Sequence, residues 1–253
     1  RGFGETIVTA DFDNDGDIDV FLPYYSHMGD GGRNWLLIND GAGHFTDVAG
    51  AAGVAFNLHV PPEGAQAIDF NQDGWLDIHV ASHLFLNNGD LTFTDVAGTL
   101  GLPILFEEGM RLFDVDLDGD LDLVHHDSLV TRLFTNDGGT FGAGQVISGT
   151  DDGTTFGYGL NVCDVNGDGF EDVIVANNRR LELEGVPVLL VNVGGRLLPS
   201  DLDGEATFHD LVACADLDGS GLPDVVHRWT EKAITPDGQP DPYFRFRSLV
   251  AQG

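Results

Sequence analysis

Apolar positions in this chain fall in short runs separated by polar, glycine-rich breaks. Val, Ile, Leu and Phe dominate the runs, and Gly, Asn and Asp dominate the breaks, as strands joined by tight turns require. In the first stretch the runs predict strands at roughly Glu5–Ala10, Asp19–Tyr24, Asn34–Ile38 and His44–Val48. Nothing offers ten residues at a helical period, so strands must build the core. An acidic loop separates the first two predicted strands.

That loop returns along the chain. Asp11-Phe-Asp-Asn-Asp-Gly-Asp-Ile-Asp19 is followed by Asp69-Phe-Asn-Gln-Asp-Gly-Trp-Leu-Asp77 and Asp114-Val-Asp-Leu-Asp-Gly-Asp-Leu-Asp122. Asp164-Val-Asn-Gly-Asp-Gly-Phe-Glu-Asp172 and Asp216-Leu-Asp-Gly-Ser-Gly-Leu-Pro-Asp224 complete the set. Their starts lie 58, 45, 50 and 52 residues apart. Other features keep the register. A Phe stands eight residues before the loop at Phe3, Phe106, Phe156 and Phe208, with Pro61 in the second unit. Asn-x-Gly turns follow at Asn39, Asn87, Asn136 and Asn192, and Phe-Thr-Asp-Val-Ala-Gly occurs at 45–50 and 93–98. Each unit reads as a four-stranded antiparallel sheet, with units at roughly 1–58, 59–103, 104–152, 153–204 and 205–253. A small sheet has two faces and cannot bury both alone, so repeated sheets must cover one another. The expected fold is therefore all-β: a single-domain β-propeller of about five blades, each with its acidic loop between the first two strands.

The loop pattern suits a hard divalent cation. Side chains at positions 1, 3, 5 and 9 and a backbone carbonyl at position 7 can converge, while Gly at position 6 allows the sharp turn. In the first loop these are Asp11, Asp13, Asp15 and Asp19, with the carbonyl of Asp17. The second offers Asp69, Asn71, Asp73, Asp77 and the carbonyl of Trp75; the third offers Asp114, Asp116, Asp118, Asp122 and that of Asp120. The fourth offers Asp164, Asn166, Asp168, Asp172 and the carbonyl of Phe170; the fifth offers Asp216, Asp218, Ser220, Asp224 and that of Leu222. Oxygen donors without His or Cys favour Ca²⁺, up to five ions, over zinc or copper, and Mg²⁺ demands a stricter octahedron. EF-hands share the first nine positions but place Glu at position 12 and continue into a helix. Position 12 here is Leu22, Val80, His125, Val175 or His227, within strand-like sequence.

Charge strengthens that reading and narrows the partners. Across 253 residues, 42 Asp and Glu face 11 Lys and Arg, giving a net charge of -31 and a pI near 4.1. Nucleic acid and anionic membrane surfaces would be repelled. No apolar run approaches the roughly 20 residues of a membrane helix, so membrane insertion is not expected. The opening at Arg1 does not read as a signal peptide, which leaves the compartment open. Seventeen ligand carboxylates, three or four to a loop, would repel one another without a cation.

The loops, with Phe-Gly at 3–4 and 156–157 upstream, resemble the FG-GAP (VCBS) repeats of integrin α-subunit propellers and many secreted microbial proteins. The stretch Asn39-Asp-Gly-Ala-Gly-His-Phe-Thr-Asp-Val-Ala-Gly50 is similar to the microbial branch whose members often carry an ASPIC/UnbV domain. The resemblance implies a calcium-stabilised propeller, extracellular, on the cell surface or periplasmic, serving adhesion or ligand binding. Integrin propellers have seven blades and carry the loop in only some, whereas all five units here carry it, and an ASPIC/UnbV domain is not expected within this chain.

A non-enzymatic module that binds a protein or glycan ligand at its loop face is the expected function. Lectin activity is the alternative, with Trp35, Trp75 and Trp229 able to stack on sugars, although packing between sheets is the favoured role of Trp35. A polysaccharide-degrading propeller is a further alternative. Its catalysis would need groups beyond the metal shell, and His79, His83, His125, His126 and His227 scatter as ordinary strand residues. Cys163 and Cys214 lie just before the fourth and fifth loops on strands of opposite parity. A disulfide there is one outcome; two buried thiols are favoured, because packed sheets lie about 10 Å apart and a disulfide needs Cα atoms within about 7 Å.

Overall fold

The computed structural model describes residues 6–25, 32–58, 62, 64–103, 109–126, 130–149, 156–178, 188–201, 208–230 and 245–249. Phe3, Gly4, Glu5, Pro61 and Phe106 of the sequence pattern lie outside these residues, as do the side chains of Phe156, Phe208, His227 and Trp229.

The alternating runs form five antiparallel sheets, each in simple sequential order. The first comprises β1 (Val8–Ala10), β2 (Asp19–Leu22), β3 (Trp35–Asn39) and β4 (Phe45–Asp47). The second comprises β5 (Gln66–Ile68), β6 (Asp77–Val80), β7 (His83–Asn87) and β8 (Phe93–Asp95). The third holds β9 (Gly109–Phe113), β10 (Asp122–His126), β11 (Val130–Phe134) and β12 (Gln145–Gly149). The fourth holds β13 (Phe156–Cys163), β14 (Asp172–Asn178), β15 (Val188–Asn192) and β16 (Leu197–Asp201). The fifth shows three strands among the described residues, β17 (Phe208–Ala215), β18 (Asp224–Thr230) and β19 (Arg245–Leu249). In every sheet the acidic loop joins the first strand to the second, and the ninth-position Asp opens the second strand.

Burial follows strand position. β1 alternates, with Val8 and Ala10 buried and Thr9 exposed. Every residue of β6 and β10 is buried, so these two strands read as continuous runs, whereas β2 alternates buried and half-buried residues. His79, His125 and His126 are buried for that reason.

The chain divides into two units, one of residues 1–112, 120–123 and 134–143, the other of 113–119, 124–133 and 144–253. In the first, Val8, Phe12, Phe21, Leu36, Ile78 and Phe85 share one core, and Leu84, Met110, Leu112, Leu123 and Phe134 share another. In the second, Val115, Val124, Leu133, Leu160, Val175 and Leu190 form the main core. A smaller cluster of Ile174, Leu189 and Val225 packs with Cys163 and Cys214.

Two short helices follow the repeated Phe-Thr-Asp-Val sequence, α1 (Ala49–Ala52) and α2 (Ala97–Leu100). Asp47 Oδ1 accepts the N–H of Ala49 and Asp95 Oδ1 that of Ala97, both at 3.1 Å. Gly53 (φ 84°) and Gly101 (φ 72°) end them in the left-handed conformation. A single turn is too short to show a period, so the sequence pattern does not reveal it.

Cys163 and Cys214 form a disulfide, with Cα atoms 6.4 Å apart. This corrects the expectation of free thiols. The 10 Å spacing describes facing sheets on average, whereas Cys163 ends β13 and Cys214 is the next-to-last residue of β17, and these two first strands pack against each other. Trp35 corrects a second expectation: it is 48 % exposed, with the Arg33 guanidinium 5.9 Å from its ring centroid, and does not pack inside a core. Trp75 is half-buried against its own Asn87-Asn-Gly89 turn. Among the described residues no helix is long and apolar enough to cross a membrane.

Candidate metal centres

Each acidic loop is drawn tight by its own backbone. The first-position carboxylate accepts two or three N–H groups. Asp11 Oδ1 takes that of Asp15 at 3.1 Å and Oδ2 that of Gly16 at 2.9 Å. Asp69, Asp114, Asp164 and Asp216 hold the equivalent groups of their loops at 2.8–3.1 Å. Third-position oxygens of Asp13, Asn71, Asn166 and Asp218 accept the N–H of residue 5. Fifth-position oxygens of Asp15, Asp73, Asp168 and Ser220 accept that of residue 7, namely Asp17, Trp75, Phe170 and Leu222. Sixth-position Gly16, Gly74, Gly119, Gly169 and Gly221 all have φ between 87° and 99°. Only glycine enters that region at little cost, which explains its presence in all five loops.

The folding brings the acidic groups together. One oxygen each from Asp11, Asp13 and Asp15 lies within 4.8 Å of the others, and the same holds for Asp114, Asp116 and Asp118. In the fifth loop the trio is Asp216, Asp218 and Asp224. Asn71 and Asn166 replace the third carboxylate in loops two and four. An all-oxygen donor set at this spacing fits a hard divalent cation, whose charge would offset the mutual repulsion of the carboxylates. Burial, followed by the charges of Asp19 and Asp15, raises the Asp13 carboxyl above its ordinary value.

The ninth position does more than the motif suggests. Asp19, Asp77, Asp122, Asp172 and Asp224 are buried. Their Oδ2 atoms accept the second-position N–H of Phe12, Phe70, Val165 and Leu217 at 2.9–3.0 Å in loops one, two, four and five. Oδ1 accepts the N–H of the Asn-x-Gly asparagine: Asn39, Asn87, Asn136 and Asn192, at 2.7–2.8 Å. The ninth Asp thus pins the loop to the third strand as well as facing it. In loops one and three it lies outside the tightest carboxylate trio. Burial pushes Asp77 up to about 6 and raises Asp172, although the two N–H donors to each oppose the shift.

The sequence pattern presents the recurrent asparagines as turn residues only. Their side chains also donate to the eighth-position carbonyls of Ile18, Leu76, Leu121 and Glu171 at 3.2 Å. Their recurrence as an Asn-x-Gly after the third predicted strand of each of the first four units was the available signal. Two of the candidate histidines have partners outside the loops: His83 pairs with Asp95 at 2.7 Å and His126 with the Thr131 hydroxyl at 2.9 Å.

Acidic, glycine-hinged loops between the first two strands of repeated antiparallel sheets define a class of repeat protein. The chain belongs to the FG-GAP-like repeat family, whose model matches residues 11–80, 69–125 and 114–175. That match carries the repeat and not the narrower ASPIC/UnbV-bearing branch. No curated protein sequence matches the chain. Among solved structures it is similar to the V. cholerae biofilm matrix protein Bap1, at 14 % identity and a TM-score of 0.48 over 98 % of this chain and 37 % of that one. It is also similar to a chain of the Photorhabdus luminescens Tc holotoxin pore, at 18 % identity and a TM-score of 0.47 over 97 % of this chain and 11 % of that one. The chain therefore spans well under half the length of either structure.

Proposed function

We propose that the chain is a calcium-binding FG-GAP propeller of about five blades, acting outside the cytoplasm as a non-enzymatic adhesion or ligand-binding module. The observation that carries this reading is the convergence of carboxylates within 4.8 Å in three of the five copies of an all-oxygen loop. Bound calcium would supply charge neutralisation and fixed coordination. The chain supplies the rest: N–H groups that orient each carboxylate, glycines that close the turn, and ninth-position aspartates that tie the loop to the sheet. Loops so fixed present a rigid end to a partner. The Cys163–Cys214 bridge supports an oxidising compartment. Calcium counting by mass spectrometry of the intact chain, with and without chelator, tests the reading; no bound calcium at millimolar free ion would reject it.

One observation favours a glycan as the ligand. Trp35 is exposed and carries Arg33 at its ring, an arrangement that can stack on a sugar and hydrogen-bond its hydroxyls. A glycan array run with calcium and again with chelator separates the two ligand classes. Calcium-dependent binding that Trp35→Ala abolishes makes the module a lectin, and silence across the array leaves a protein ligand.

A further inference from the structure

In both units an asparagine of one repeat reaches into the acidic loop of the repeat before it. Asn87 Nδ2 donates to the carbonyl of Phe12 at 2.8 Å, and Asn192 Nδ2 to that of Val115 at 2.7 Å. Both asparagines are buried, and each carbonyl belongs to the second loop position, between the first and third carboxylates. The backbone N–H of the same residue holds the ninth-position carboxylate of its own loop, Asp77 at 2.8 Å and Asp172 at 2.7 Å. One residue therefore touches two candidate cation loops. A direct strut accompanies it in the first unit: Asn14 Nδ2, at position 4 of loop one, donates to the carbonyl of Gly74, at position 6 of loop two, at 3.1 Å. In the second unit a Cβ added at Gly195 would lie 2.6 Å from the Cβ of Asp116, so that turn already abuts a third-position ligand candidate of loop three.

From these contacts we infer that neighbouring loops take up cations cooperatively, loop one coupled to loop two through Asn87 and Asn14, and loop three to loop four through Asn192. The inference rests on the calcium reading of the loops. A cation that orders Asp11, Asp13 and Asp15 also fixes the peptide between Asp11 and Asp13. That peptide's carbonyl orients the Asn87 amide, and Asn87 in turn holds Asp77. Part of the ordering that loop two would need is then already complete, which is positive coupling without any large movement. Linkage makes the effect reciprocal.

The test uses Trp75, which stands at position 7 of loop two. With Trp35→Phe and Trp229→Phe in place, Trp75 is the sole tryptophan of the three and sensitises the luminescence of terbium bound beside it. Terbium replaces calcium as the probe, and Asp13→Ala disables loop one. Asp13→Ala is expected to weaken terbium binding at loop two by about five-fold or more. In the Asn14→Gly background that weakening should fall toward two-fold or less. Asn14 is exposed with φ 57°, and loops four and five already carry glycine at that position, so the variant keeps the fold. Asn87→Ser, checked by thermal unfolding, should likewise reduce the coupling, and should it fail to fold, Asn14→Gly carries the test alone. Loop-two affinity that is indifferent to Asp13→Ala, or coupling that survives the asparagine variants, overturns the inference while leaving the metal sites standing. A chain that gives no saturable luminescence overturns both.

Discussion

Asp77 shows how one carboxylate serves both fold and site. Burial raises its pKa from 3.8 to about 6, chiefly by desolvating the charge, with Asp73 and Asp69 adding repulsion. A group whose folded pKa is raised stabilises the fold below its unfolded pKa and loses that contribution as pH rises through the folded one. Without cation, thermal stability should therefore decline between about pH 4 and pH 6. Asp172, raised for the same first reason, contributes in the same direction. Calcium binds only the ionised form, so the rise in melting temperature on adding calcium should grow across the same window. Melting curves at paired pH values, with calcium and with chelator, measure both slopes, and Asp77→Asn should flatten the cation-free one. The sequence presents Asp77 as a candidate ligand but not as a buried anchor, because burial depends on what packs over it. Trp35 was misread for the converse reason: its apolar strand suggested packing, but its position leaves the indole beside Arg33 and solvent.

At the level of the element, the five loops are alike in plan and unequal in donor set. Loops one and three carry four ligand carboxylates, loops two and four replace one with Asn71 and Asn166, and loop five has Ser220 at position 5. The structure adds a difference in anchoring. Phe12 and Val115, at position 2, are buried in their cores, whereas Leu217 is 62 % exposed. Fewer charges and a looser anchor both lower affinity. Loop five should empty first under mild chelation and loops one and three last; Asp114→Ala should remove a tight ion and Asp216→Ala a weak one, as read by calcium stoichiometry at several free-ion levels. The strands themselves were legible, with β1–β4 falling inside or within a residue of the predicted runs. The disulfide was not, since pairing depends on how closely β13 and β17 approach. It closes a span of 51 residues and should contribute roughly 2–4 kcal/mol by constraining the unfolded chain. Cys163→Ser with Cys214→Ser should lower the melting temperature by several degrees, and an unchanged value would show that the bridge adds nothing to stability.

The whole molecule carries a formal charge of -31, much of it gathered in five acidic loops, three of which bring carboxylate oxygens within 4.8 Å of one another. Five divalent ions would reduce that charge to -21 and convert local repulsion into coordination. On the calcium reading the folded loops would bind cations that the unfolded chain cannot gather ligands for, so binding energy would become folding energy. The repeat and its period were readable from residues alone, since each copy reinforces the others. The links between copies were not, because Asn87 to Phe12 and Asn192 to Val115 join residues 75 and 77 positions apart. The most direct measurement is thermal unfolding of the intact chain against free calcium, with bound ions counted in parallel. The expected result is saturable binding approaching five ions, with a melting temperature that climbs as the loops fill and falls again with chelator. Unfolding that is indifferent to calcium, or a chain that retains no ions, would contradict it.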